Sequence, residues 1–370
     1  MEGRKPRNLL PALPTQNRSF LRQAVSTKPT ASTTRTQSKK SPIQLSKRIS
    51  VTPTRYRPMP VQKPRPHHSR YPSTQDTPAA EHECPWTLAE ISLGKCIGKG
   101  SLGRVVLGQT ATCQVAVKIM EKRQMRVKKI AEAERVILEQ LHHALMVTYF
   151  GCLEDAERLY LVLEYLPNGD LFHLMRRKRL KPRETKFYAT EVVAGLRSLH
   201  SLQIVYRDLK PENLMLHSSG HLRFIDFGFA KRLVSERTSS VLGSPEYMAP
   251  ELVMKRPHGL AVDCWSLGVL LYELHCHHPP FEGETPMEVY EKVVSGVYEL
   301  PNHLDSAIKD LIRRLLNPEP RLRLDVEAVM RHGYFLGTDW IQVDELLLEA
   351  PVLEGVPEKA REEFQTNLFS

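Results

Sequence analysis

From residue 91 onward, short apolar runs alternate with turn residues, and their spacing defines elements. Ile91–Ile97, Arg104–Leu107 and Gln114–Ile119 read as strands bounded by Gly, Thr and charged residues. The stretch 127–141 places Ile130, Ala133, Ile137, Leu138 and Leu141 at helical spacing, which predicts an amphipathic helix. Val147–Leu153 and Leu159–Tyr165 return to strand character. Beyond 170 the period changes to that of helices, at about 170–176, 184–203, 262–276, 286–295 and 305–316, with short strands around loops between 205 and 228. No internal repeat is visible. The pattern predicts an α+β protein: a small β-rich lobe (about 86–165) joined through Tyr165–Asn168 to a larger helical lobe (about 169–335).

The first 82 residues have no such pattern. Residues 1–80 hold 16 Lys+Arg against two acids, and 12 of the 27 prolines. A segment so poor in large apolar residues cannot offset its ordering entropy by burial, so a disordered basic tail is expected at 1–82. Such a run is most often a solvated tail; recruitment to an acidic partner, a membrane surface or the nuclear import machinery are the alternatives. The other 290 residues hold 36 bases and 40 acids, so the net charge of +10 belongs to the tail. That removes the reading as a folded nucleic-acid-binding protein.

The six cysteines show no CxxC pair or metal-ligand spacing and read as buried thiols of a reducing compartment. No apolar run reaches the length of a membrane span, and Gly3 is not at the position that N-myristoylation requires. Cytoplasm or nucleus is the expected location. After 335 a short, polar, partly helical segment closes the chain at 336–370.

Four motifs carry chemistry. Gly98-Lys99-Gly100-Ser101-Leu102-Gly103-Arg104-Val105 is a glycine-rich run between two strands. Its glycines let backbone close over phosphates without interference from a Cβ. A dinucleotide-binding loop needs a helix directly after the glycines, whereas a strand follows here, which favours a flap over a nucleotide. Thirteen residues after Val105, Lys118 interrupts the apolar strand Val115-Ala116-Val117, and Glu134 sits on the following helix where it can pair with that Lys. Tyr206-Arg207-Asp208-Leu209-Lys210-Pro211-Glu212-Asn213 supplies a candidate base (Asp208), a cation for a transferring phosphoryl group (Lys210) and a metal ligand (Asn213). Thirteen residues later, Asp226-Phe227-Gly228 offers a second hard oxygen ligand suited to magnesium. Asp and Asn are common turn residues, but turn chemistry does not produce this whole ordered set.

From about 91 to 335 these motifs, completed by Ser244-Pro245-Glu246-Tyr247-Met248-Ala249-Pro250-Glu251, resemble those of eukaryotic protein kinases. The resemblance implies the bilobal protein-kinase fold across 83–335, with ATP and Mg2+ in the cleft. It implies that Ile97, Val105, Ala116 and Met215 enclose adenine, that Leu163 is the gatekeeper, and that Glu164–Leu166 form the hinge. Leu138, Tyr206 and Phe227 would stack as a spine, Glu251 would pair with Arg323, and Asp263 would brace the catalytic loop. Lys210 after Asp208 is the serine/threonine form of that loop. Asp226–Arg232, Val289–Gly296, Thr338–Trp340 and Glu349–Pro351 narrow the likeness to the AGC group, close to cAMP-dependent protein kinase catalytic subunits.

Within that group, Asp170, Glu212 and Glu273 fall where acids hold Arg side chains of protein substrates with basic motifs, since paired carboxylates select guanidinium groups. Val241, Pro245 and Met248 would line an apolar pocket for the following residue. Ser240, in Arg237-Thr238-Ser239-Ser240-Val241, occupies the activation-loop phosphorylation position and itself fits the basic motif; its phosphate would pair with Arg207 and Lys231. Lys47-Arg48-Ile49-Ser50-Val51 in the tail fits the same motif, by chance or as an autophosphorylation site. The chain departs from the group in three places. The segment between Lys118 and Glu134 is short, which predicts a reduced helix there. The C-terminal segment lacks the ending that docks on the small lobe. Ser239 stands where a Trp often grips the cyclic-nucleotide-binding regulatory subunit, although Tyr290 of the same contact region is kept. Two classes remain, an active kinase and a pseudokinase scaffold; retention of Lys118, Asp208, Asn213 and Asp226 favours the first.

Overall fold

The structure is a computed structural model; it describes residues 84–352 except 101, 124, 234–237 and 239–243. The basic tail with Ser50, the expected site residues Ser101, Ser240 and Val241, and Ser239 all lie outside the described residues.

Five strands open the described chain or flank its first helix: β1 (Ser92–Gly100), β2 (Gly103–Gln109), β3 (Gln114–Glu121), then α1 (Met125–Leu138), β4 (Tyr149–Glu154) and β5 (Arg158–Glu164). They form one antiparallel sheet in the order β1-β2-β3-β5-β4. Strand β3 is buried from Val115 to Met120 because both its faces are covered. Val115, Val117 and Ile119 join Ile91, Val106, Tyr160 and Val162 in a core on one side. On the other face Ala116 and Lys118 align across the sheet with Leu163 and Leu161, and Val105 pairs with Lys118 from β2. That row forms the wall of the cleft.

The expected face of helix α1 holds at Ile137, Leu138 and Leu141, which are buried, and departs at one residue. Ala133 is exposed, whereas Ala131, Glu134, Ile137 and Leu138 are buried. A search for apolar residues alone rotates the stripe away from Glu134, a carboxylate that is buried because it has a cation to meet. The helix ends at Leu138, where Gln140 and Leu141 turn back with N–H bonds to the carbonyls of Ile137 and Leu138. Among the described residues between Glu121 and Met125 there is no separate helix.

The large lobe follows with α2 (Leu171–Arg177), α3 (Pro182–Ser201), β6 (Ile204–Val205), β7 (Leu214–Leu216), β8 (Leu222–Phe224) and β9 (Lys231–Arg232). It continues with α4 (Pro250–Val253), α5 (Ala261–Cys276), α6 (Pro286–Ser295), α7 (Ser306–Leu315), α8 (Val326–Met330) and α9 (Trp340–Asp344). Helix α5 is apolar on all sides and buried from Val262 to Leu274, the mark of a central helix. Two acids, Asp263 and Glu273, are buried with it. Arg323 clamps this centre: its guanidinium donates to both carboxylate oxygens of Glu251 at 2.8 and 3.0 Å and lies 5.2 Å from the Trp265 ring.

The segment after 335 is seated as far as it is described. Val343 and Leu346 pack with Leu145 and Ala194. Asp344 receives a hydrogen bond from Arg197 of α3 and lies 3.7 Å from His143, in the loop before β4. The residues after 352, whose docking the sequence disfavours, lie outside the described residues.

The cysteines differ from their expected burial. All six are free, but only Cys264 is buried; Cys96 and Cys113 are exposed and the other three are half-buried. Cys96 lies on β1, which has almost no buried position, and Cys113 lies in the turn between β2 and β3.

Candidate active site

The floor of the cleft is built on Asp263. Its two carboxylate oxygens accept the backbone N–H groups of Tyr206 and Arg207 at 2.9 and 2.8 Å, and His200 Nε2 lies 2.9 Å from it. These bonds satisfy the buried amides of a loop in which Arg207 holds a φ of 67°. Backbone strain of that kind persists only where surrounding bonds over-determine it. The Tyr206 ring packs edge-on against Phe227 at 5.4 Å, its hydroxyl donates to the carbonyl of Ile225, and Leu138 belongs to the same core. Of the expected spine, the Tyr206–Phe227 contact is in place.

On this support Asp208 is buried, with Oδ2 accepting from Lys210 Nζ at 2.8 Å and Asn213 Nδ2 at 2.7 Å. Its other oxygen, Oδ1, is buried without a partner. Burial raises the Asp208 carboxyl to a pKa of about 6 against the opposing pull of Lys210. Lys210 also reaches the Ser244 hydroxyl, at 3.1 Å. A short 3-10 turn, Pro211–Asn213, fixes Asn213 beside the loop.

Across the cleft, Lys118 Nζ lies 2.7 Å from Glu134 Oε1 and 2.7 Å from Asp226 Oδ1. Burial disfavours the ammonium, but the two carboxylates outweigh it and hold the Lys118 pKa above its ordinary range. Lys118 does the same for Asp226 in the opposite sense: burial raises its pKa, and the ammonium brings it below the usual carboxylate value. Asp226 has a φ of 56°. Strained backbone thus occurs at both ends of the cluster, at Arg207 and Asp226.

The roof is β1 and β2, where Gly98 pairs with Val105, Lys99 with Arg104 and Gly100 with Gly103. Leu102, at the turn, approaches Gly228 so closely that a Cβ there would meet Leu102 Cδ1 at 2.9 Å. Ile97 is exposed on β1, Ala116 is buried opposite Leu163, Leu166 is buried after the lobe junction, and Met215 is half-buried on β7. The Glu164 side chain turns from the cleft. Its carboxylate lies 3.2 Å from the Thr148 N–H, 3.5 Å from Arg223 Nε and 3.6 Å from His217 Nε2.

Of the expected peptide-binding residues, Asp170 caps α2 by accepting the His173 N–H at 2.7 Å. Glu212 has a buried carboxylate oxygen with no partner, and buried Glu273 accepts the Tyr247 hydroxyl. Pro245 is half-buried, but Met248 is buried and belongs to the core, so it underlies the surface and does not line an open pocket. In the activation segment, Lys231 Nζ donates to Thr238 Oγ1 at 2.8 Å, and Arg207 Nε to the carbonyl of Phe229.

The donor set fits a divalent cation held jointly with phosphates. Asn213 and Asp226 bring one amide oxygen and one carboxylate. Among the described residues no three His, Cys, Asp or Glu form a cage that could bind a metal alone. Magnesium characteristically takes one or two protein oxygens and completes its shell with water and phosphate.

Residues 91–335 match the protein kinase domain model. The chain belongs to the protein kinase family. This kinase chain is 39% identical over 280 residues to cAMP-dependent protein kinase catalytic subunit 3 of Drosophila melanogaster, a match over 73% of this chain and 48% of that protein. It is 36% identical over 282 residues to the human cAMP-dependent protein kinase catalytic subunit PRKX, covering 73% of this chain and 78% of the relative. With the Dictyostelium discoideum cAMP-dependent protein kinase catalytic subunit it shares 38% over 264 residues, 68% of this chain and 41% of that one. It thus spans about half the length of the fly relative and about three quarters of the human one. Kinases of this family use ATP and, in general, a divalent metal. No helix among the described residues is long and apolar enough to cross a membrane.

Sequence reasoning missed two arrangements in this kinase. One is the contact of Asp344 with Arg197 and His143; the other is the group of Glu164, Arg223 and His217 behind the lobe junction. Burial, with Arg223 and His221 nearby, brings the His217 pKa to about 3, so this imidazole is neutral. A visible signal for the second was Arg223 inside the apolar run Leu222–Ile225.

Proposed function

We propose that this chain is an ATP-dependent serine/threonine protein kinase that transfers the γ-phosphate to Ser or Thr in Arg-containing protein motifs. The observation that carries this reading is Asp208: one oxygen is held by Lys210 and Asn213, while the other is buried without a partner, ready to accept a hydroxyl proton. In this reading Lys210 neutralises the phosphoryl group in transit. Lys118, aimed by Glu134, holds the α- and β-phosphates. The glycine-rich roof, 98–105 with Ile97, covers the nucleotide, whose adenine lies among Val105, Ala116, Leu163, Leu166 and Met215. Glu164 contributes through its backbone, because its side chain is engaged elsewhere. Asn213 and Asp226 would hold Mg2+, which when bound neutralises charge on the phosphates.

Asp170, Glu212 and Glu273 would receive substrate Arg side chains, and Val241 with Pro245 the residue after the target. Ser240 would be the activating phosphorylation site. Arg207, buried with its Nε donating to the carbonyl of Phe229, and Lys231, donating to Thr238 Oγ1, place two cations beside the segment that carries Ser240 in the sequence. The kinase domain would span 83–335, between a basic tail at 1–82 and an AGC-type segment at 336–370. The relatives' names support control by a cyclic-nucleotide-binding subunit. Cytoplasm or nucleus is the proposed location.

A positional scan of serine peptides tests the specificity. Arg two or three residues before the target should raise kcat/KM at least tenfold, and Glu212→Ala should erase most of that gain. Equal rates on peptides with Ala or Arg at those positions would remove the basic-motif reading.

A further inference from the structure

A cavity of about 490 Å³ lies where the C-terminal ends of α2 and α5 meet. Four consecutive bases, Arg176 to Arg179, line one side; His277, His278, Glu273 and Glu282 line the other. Glu273 and Glu282 each have a neighbour within the protein. Glu273 accepts the Tyr247 hydroxyl, and Glu282 lies 3.8 Å from His278. Lys178 is likewise paired, with Glu184 at 2.8 Å. Arg176, Arg177 and Arg179 are exposed, and among the described residues none of the three forms an ion pair. The Arg176 guanidinium lies 5.5 Å from the Phe172 ring, another residue of the wall.

Bases at helix C-termini ordinarily complement the helix dipole, at about half a charge per terminus. Three unpaired guanidinium groups exceed what two termini offset. The His277 pKa is lowered by burial and then by Arg179 and His278. No catalytic-loop residue lines this cavity, but Glu273 does. Glu273 therefore stands between the peptide groove and the cavity. A peptide Arg that reached Glu273 would enter the same cavity that the three guanidinium groups line.

We propose that this cavity is a second substrate subsite, which takes a carboxylate or phosphate side chain of the protein substrate upstream of the Arg held by Glu273. The inference rests on the kinase reading above and deepens it: the preferred substrate is acidic upstream and basic next to the target. Guanidinium groups suit both anions by bidentate hydrogen bonding.

The test compares an Arg-containing serine peptide with versions carrying Glu, phosphoserine, Ala or Lys at successive upstream positions. At one register Glu should raise kcat/KM about fivefold over Ala, mainly through KM, and phosphoserine should raise it further. High salt should abolish the gain. The double variant Arg177→Glu/Arg179→Glu should invert the preference toward Lys. Wild-type enzyme with equal kcat/KM for Glu, Ala and Lys at every upstream position overturns the inference. The kinase reading would survive that result as long as the Arg next to the target is still required. Conversely, loss of the Arg requirement with the upstream Glu preference intact would remove the role given to Glu273 and leave the anion subsite in place. Without catalysis, a labelled acidic peptide should bind wild-type enzyme directly, be displaced by salt, and fail to bind the double variant. Equal binding by both proteins would overturn the subsite.

Discussion

The floor and the roof of the cleft are built on opposite principles. The floor, from Tyr206 to Asn213, is buried except for Lys210 and Glu212 and tied to a buried acid on a central helix. The roof strand β1 exposes almost every residue, and its pairing with β2 shifts register twice between Leu93 and Gly98. The floor must hold a base, a cation and a metal ligand at fixed distances, and fixed distance comes from buried bonds. The roof closes over phosphates with backbone, so β1 has no buried position of its own. The difference shows where chemistry is stored and where substrate entry is accommodated.

Replacing Asp208 with Asn attacks the floor where its function and its stability oppose each other. Loss of the base should lower kcat by about a thousandfold. Stability should move the other way. The carboxyl ionises at about 6 in the folded chain against about 3.9 unfolded. The native state therefore holds a proton that the unfolded chain releases, and stability falls as pH rises through that window. Asn removes this fall, so at pH 7 the variant should resist urea better than wild type, by roughly 2 kcal/mol. In the wild type kcat/KM should drop as pH falls below about 6. A flat acid limb would argue against Asp208 as base.

Arg323→Ala tests the support beneath the floor. It strands Glu251 as a buried charge and should cost about 3–5 kcal/mol in chemical unfolding. An exposed pair of the same type, Arg331 with Glu327, should cost under about 1 kcal/mol when broken, which sharpens the contrast.

The roof should respond to sterics at one glycine and hardly at the next. A Cβ at Gly103 would lie 2.1 Å from the Ile119 carbonyl oxygen, so Gly103→Ala should destabilise by about 1–3 kcal/mol and weaken ATP binding. A Cβ at Gly100 meets nothing within 4 Å. Gly100→Ala should change stability by under about 0.5 kcal/mol and act, if at all, on the KM for ATP. Equal destabilisation by both would show that the roof is as rigid as the floor.

What the sequence makes legible follows the same division. The floor is written in contiguous motifs, because a loop with several functional groups must carry them at fixed spacing. The Lys118–Glu134 pair spans 16 residues and is still readable, since a Lys in an apolar strand demands a partner. Arg197 with Asp344, 147 residues apart, and Glu164 with Arg223 are not. Each partner alone resembles an ordinary surface charge, and only the fold brings them together. On α1 the apolar stripe is legible at Ile137, Leu138 and Leu141 but not at Ala133, because a buried acid, Glu134, completes the face and apolar periodicity does not count it.

Phosphoryl transfer by the purified chain is the property on which the rest depends. Incubated with γ-labelled ATP and Mg2+, the protein should label a serine peptide with Arg before the target, and leave the matching tyrosine peptide unlabelled. ATP binding without any label on the serine peptide, under conditions where Ser240 carries phosphate, would contradict it.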